Sequence, residues 1–162
     1  MIAGVTLPTL HSTMPPTIPP PQVRWVMWAA MTGSIFLYFI LVRFGFIAAP
    51  DPGTVEKPVS DGGVSRPVIL TAIGLVNAVA SMAIRIVVKS VRDQQGRRVT
   101  PAWIFPAFVV ALALAESPAV FGFILGLQGE DPKSMMLLFG IALVAMLANN
   151  PASFFAKADD DA

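Results

Sequence analysis

The chain contains no cysteine and a single histidine, His11. The missing cysteines exclude disulfide frameworks, thiol nucleophiles and thiolate metal sites. One histidine, placed in a proline-rich leader, excludes a histidine-based metal centre or a Ser-His-Asp triad within the rest of a monomer. Charge is scarce as well. Only 13% of residues are Asp, Glu, Lys or Arg, against roughly 25% in a soluble domain. The net charge of +1 provides no basic field for nucleic acid. The carboxylates of the polar stretches, Asp51, Glu56, Asp61, Glu130 and Asp131, have no spacing that sets up a catalytic pair, so no enzyme and no cofactor are expected.

What abounds is apolar surface. Hydrophobic residues make up 55% of the 162, and the mean hydropathy is +0.70. A soluble protein of this size could not cover so much of it, so the composition points to an all-α integral membrane protein. Residues 1–22 hold Pro15, Pro16, Pro19, Pro20 and Pro21. They read as a disordered, polyproline-like tail in which proline prevents a regular helix. Four apolar runs follow, at about residues 25–49, 68–90, 103–127 and 134–150, and residues 156–162 form an acidic tail. Each run is near the length a bilayer requires, the fourth being the shortest, so residues 23–155 are expected to form four transmembrane helices. Trp25 and Trp28 suit an interfacial belt, and Arg43 an anchor that snorkels to the nearer headgroups.

Orientation follows from the basic residues. The connector between the second and third runs carries Lys89, Arg92, Arg97 and Arg98, with a turn expected at Gln94-Gln95-Gly96. Placing it in the cytoplasm puts both termini there too. Arg24, Arg85 and Lys157 then join the inner side, while Arg43, Lys57, Arg66 and Lys133 fall outside. No organelle-targeting leader is legible, so a bacterial inner membrane is the expected location.

The third run is uncharged except for Glu116 near its middle. An ionisable group at that depth costs a few kcal/mol or more and marks a functional site by default. Around it lie Ala111, Ala115, Ala119, Gly122 and Gly126, small residues that let helices approach closely. Desolvation disfavours the charged carboxylate, and a neutral carboxyl still needs a hydrogen-bond partner. Ser117 adjoins it, and Asn77 on the second run lies at a similar distance from the connector. Pro118 frees the carbonyl of Leu114 as a further acceptor. Two readings stand side by side: a Glu116–Asn77 hydrogen bond that glues two helices, or a reversible proton site built on Glu116, Asn77 and Ser117.

The stretch Leu112-Ala113-Leu114-Ala115-Glu116-Ser117-Pro118-Ala119-Val120-Phe121-Gly122-Phe123-Ile124 resembles the carboxylate-bearing helix of rotary ATP synthase c subunits, the membrane proteolipids. The resemblance extends as a hairpin over about residues 68–127. It implies that Glu116 matches the ion-carrying carboxylate and that Ser117 and Phe121 match its neighbours. The second run departs from the family by having Gly74 as its only glycine, with Ala72, Ala78, Ala80 and Ser81 elsewhere, and the first and fourth runs do not repeat the motif. The chain therefore reads as a c-subunit-like four-helix protein and not an ordinary c subunit. The expected function is proton binding or translocation within a membrane complex. The alternative is a structural or assembly subunit. Either implies a lipid bilayer and a membrane-protein partner or further copies of the chain.

Overall fold

The computed structural model describes residues 19–45, 65–95, 101–130 and 132–155, and every element among them is an α-helix. These are α1 (Pro21–Arg43), α2 (Arg66–Gln95), α3 (Ile104–Leu127), α4 (Pro132–Ala148) and the single turn α5 (Pro151–Phe154). The expected tail at residues 1–18, the loop at 46–64 and the acidic tail at 156–162 lie outside the described residues. α1, α2 and α3 are long and apolar enough to cross a membrane. The 17 residues of α4 reach only about 25 Å.

Local chemistry sets the ends. Pro21 does not break α1 as expected of the proline tail. It starts the helix, because a first-turn residue needs no N–H partner and a φ near −65° is already helical. α1 stops at Arg43, where Phe44 N–H still reaches the Ile40 carbonyl at 3.0 Å and Gly45 turns left-handed at φ +66°. α3 ends in a Schellman motif. Glu130 N–H bonds the Leu125 carbonyl at 3.1 Å and Gly129 N–H bonds Gly126 at 3.3 Å, with Gly129 at φ +67°. Of the turn expected at Gln94-Gln95-Gly96, Gln94 and Gln95 are helical and Gly96 lies outside the described residues. α2 runs on through both, carrying Lys89, Arg92 and Asp93 on helix instead of in a loop.

α3 is the hub. α1 runs parallel to it, with Ser34 beside Glu116, Tyr38 beside Phe123 and Val42 beside Gly126. α2 runs antiparallel to it, with Gly74 at Pro118 and Asn77 at Ser117. α4 lies opposite, with Leu138 and Phe139 against Gly122. Ala111, Ala115 and Ala119 are fully buried. The helices thus alternate in direction, and the start of α1 shares one end of the bundle with the ends of α2 and α4.

Along the middle of α2 the polar side chains face the bundle and large apolar ones face outward, while the polar residues at its two ends, such as Arg66, Lys89 and Asp93, are exposed. Gly74, Ala78, Ser81 and Val88 are buried, with Asn77, Arg85 and Arg92 half-buried along the same side. Val76, Val79, Ile86 and Val87 are exposed by 57–66%. A water-facing helix shows the reverse pattern.

Candidate functional site

Pro118 organises the centre of α3. It has no N–H to offer the Leu114 carbonyl four residues back. Ser117 fills the gap: its hydroxyl donates to Leu114 O at 2.9 Å, and Asn77 Nδ2 donates to Ser117 Oγ at 2.9 Å. Asn77 therefore reaches α3 one residue away from the acid, and the partner of Glu116 comes from the other side of the hub. That partner is Ser34 of α1, whose Oγ is hydrogen-bonded to Glu116 Oε1 and lies 2.7 Å from the Met31 carbonyl. Glu116 is half-buried at this α1–α3 seam.

The proton count at Ser34 matters. A hydroxyl has one hydrogen and can accept as well as donate. When Glu116 is a neutral acid, its O–H donates to Ser34 Oγ while Ser34 donates to Met31 O. When Glu116 is a carboxylate, Ser34 turns its hydrogen to Oε1, and Met31 O keeps its ordinary place in the α1 ladder. One hydroxyl can thus partner the acid in either protonation state, as acceptor or as donor. An apolar neighbour could partner neither, and an N–H donor could serve the carboxylate or the acid's carbonyl oxygen but could not accept the acid O–H.

Charged groups do not crowd the acid. Glu116 is the only ionisable residue of α3, and Lys133 at its first turn is the only one of α4. α1 contributes Arg24 and Arg43 near its ends, with Tyr38 stacked at 5.3 Å on Phe123. On the inner side of α2, Arg85 donates to the Ala148 carbonyl at 2.7 Å and Arg92 to the Phe154 carbonyl at 3.1 Å. Among the described residues no group of three or more His, Asp or Glu side chains could hold a metal.

Those arginines belong to a second polar cluster, around the end of α4. The last carbonyls of a helix run short of helical partners. Here Asn149 N–H still reaches the Ala145 and Met146 carbonyls at 3.1 and 3.2 Å, and a side chain reaches each of the last four. Asn149 Nδ2 takes Ala145 O at 2.9 Å, Trp28 Nε1 takes Met146 O at 3.0 Å, Asn150 Nδ2 takes Leu147 O at 3.1 Å, and Arg85 takes Ala148 O. Trp28, expected as an interfacial anchor, thus also ties α1 to α4. Asn150 Oδ1 caps α5 by accepting from Ser153 N–H at 3.0 Å. α5 folds Phe154 and Phe155 onto Phe108, at 5.2 and 5.4 Å between ring centroids, and Arg24 lies 4.0 Å over the Phe155 ring.

Of the residues singled out from sequence, Asn77 and Ser117 meet each other, and Glu116 meets Ser34, which carried no sequence signal beyond being a serine in an apolar run. The small residues serve close approach: a side chain on Gly122 would meet the Met135 carbonyl at 3.3 Å, and one on Gly126 would run into Val42 of α1. An apolar groove of about 590 Å³ between α2 and α4, lined by Leu75, Val79, Met82, Leu137, Gly140 and Val144 among others, excludes Glu116 and offers hydrophobic contact only. The chain matches no known protein family, no curated protein and no solved structure.

Proposed function

We propose that the chain is a multi-pass membrane protein with four transmembrane helices and both termini in the cytoplasm, in which Glu116 reversibly binds a proton on behalf of a membrane complex. The observation that carries this reading is the Ser34 hydroxyl between Glu116 and the Met31 carbonyl, a partner suited to the acid in both states. The inverted polarity of α2 and the alternating helix directions support the membrane assignment and the shared side of the termini. The short resemblance to ATP synthase c subunits around Glu116 points to the same chemistry. A bacterial inner membrane remains the proposed location.

A second reading has its own support. The Glu116–Ser34 and Asn77–Ser117 bonds also join α1 and α2 to α3, which suits a structural or assembly subunit whose acid never ionises. A lipid-soluble carbodiimide, which modifies protonated carboxyls, separates the two. With the protein in vesicles and Glu116→Gln as control, the proton-site reading expects labelling at Glu116 that fades as pH rises. An acid that stays unlabelled at every pH sinks it in favour of the structural subunit.

A further inference from the structure

Inside the bundle the polar groups are not scattered. From the α4–α5 end inward, one side of α2 carries Arg92, Arg85, Ser81 and Asn77, a stretch of 15 residue steps or roughly 22 Å of helix. Each faces a polar group on a neighbouring element. Arg92 and Arg85 meet carbonyls of α5 and α4, Asn149 Nδ2 donates to Ser81 Oγ at 3.1 Å, and Asn77 meets Ser117 beside Glu116. Between the Ser81 and Asn77 pairs lies a single turn of α2, about 5–6 Å, the span of one bridging water.

Two further atoms mark this route. Among the described residues, the buried side-chain polar atoms that make no hydrogen bond within the chain are Asn149 Oδ1 and Arg92 Nε. Asn149 is fully buried. Leaving a buried acceptor or donor unpaired is costly, and ordered water is the usual partner for such atoms. Both sit at the α4–α5 end. On the other side of Glu116 the interior is different. Ala119, Gly122, Leu125, Met135, Leu138 and Phe139 are buried and have no polar side-chain atom.

We infer that a file of water enters from the α4–α5 end, passes Arg92, Asn149, Ser81 and Asn77 to Ser117, and turns round α3 from there to Glu116 at the α1 seam, reaching the acid from that end of the bundle only. The acid would then exchange protons with one compartment through the protein's own interior. This rests on the reading of Glu116 as a proton site and supplies its route: hydronium or hydroxide moves along the file, and the proton is exchanged at Oε1 or Oε2.

The absence of native cysteine makes the test clean. Ser81→Cys and Asn77→Cys place thiols on the route at independent positions, and Leu138→Cys and Phe139→Cys place them in the apolar half. Each variant, in lipid vesicles, is exposed to silver ion, a small thiol reagent that travels in water. The thiols left are then counted with a fluorescent maleimide after denaturation. Because reaction needs a hydrated thiolate, the route thiols should react about ten-fold faster or more than the apolar pair. Route thiols no faster than Leu138→Cys overturn the water file, whatever Glu116 does. Reactive route thiols beside a Glu116 that carbodiimide never labels keep the file and instead overturn the proton-site reading on which its role was built.

Discussion

Removing the hydroxyl of Ser34 tests the contact on which the site depends. Ser34→Ala deletes one hydrogen-bonding group from the α1–α3 seam and leaves the backbone of α1 untouched, since Met31 keeps its ladder partner. Polar bonds between membrane helices average about 0.6 kcal/mol, with a maximum near 1.7, because the separated helices find other partners. The Ser34–Glu116 bond belongs in the upper half of that range. One partner is an acid, and charge-assisted or acid hydrogen bonds are stronger than neutral ones. Half-burial of Glu116 keeps the cost from rising to that of a fully stranded carboxyl. The expected loss is about 1 kcal/mol. A double-mutant cycle with Glu116→Leu, followed by sodium dodecyl sulfate titration in mixed micelles, isolates the pair. The expected coupling energy is about 1 kcal/mol, the double variant losing less than the sum of the singles. Additivity to within about 0.3 kcal/mol would refute the bond.

Other substitutions follow from the packing. In Gly126→Ala the new Cβ would stand 2.9 Å from Val42 Cγ2 and nearer still to Cγ1. Val42 is β-branched and cannot swing clear, so α1 must shift and the same titration should register a loss of about 1–3 kcal/mol. Gly140→Ala meets nothing within 4 Å, and should stabilise by up to about 1 kcal/mol through helix propensity alone. Trp28→Phe keeps an aromatic ring smaller than indole and removes the donor to Met146 O, and should cost about 0.5–1.5 kcal/mol in thermal unfolding for the hydrogen bond, with any loss of packing added to it. Arg85→Glu turns an acid toward the carbonyl end of α4, and should unfold more readily than Arg85→Met by about 1–2 kcal/mol. Equal stability of those two variants would show that the end of α4 imposes no preference for charge.

How much of this was legible before the structure depends on the kind of interaction. Helix positions follow from long apolar runs, and α3 departs from its expected start by one residue. Boundaries were harder where a residue's local meaning has two sides. Pro21 breaks a helix in its interior but starts one at its first turn, and the charged end of α2 stays helical because Arg92 has a carbonyl to bind on α5. At the site, Pro118 announces the free Leu114 carbonyl, and a serine next to it is a local partner that sequence can suggest. Ser34 is different. It is 82 positions from Glu116, and only the parallel alignment of α1 with α3 brings the two together. The same holds for Trp28 and Arg85, whose targets are carbonyls and leave no side-chain signature in the sequence.

Infrared difference spectroscopy of the protein in lipid reads the proposed proton exchange at Glu116 directly. Films of the protein and of Glu116→Gln are titrated across the pH range. The account expects a carboxylic acid C=O band that is lost as pH rises, is replaced by carboxylate bands, and is missing from Glu116→Gln. It also expects Ser34→Ala to shift that band, because the acid O–H then loses its acceptor. An acid band assigned to Glu116 that persists unchanged to alkaline pH would contradict the account and leave Glu116 as a fixed link between α1 and α3.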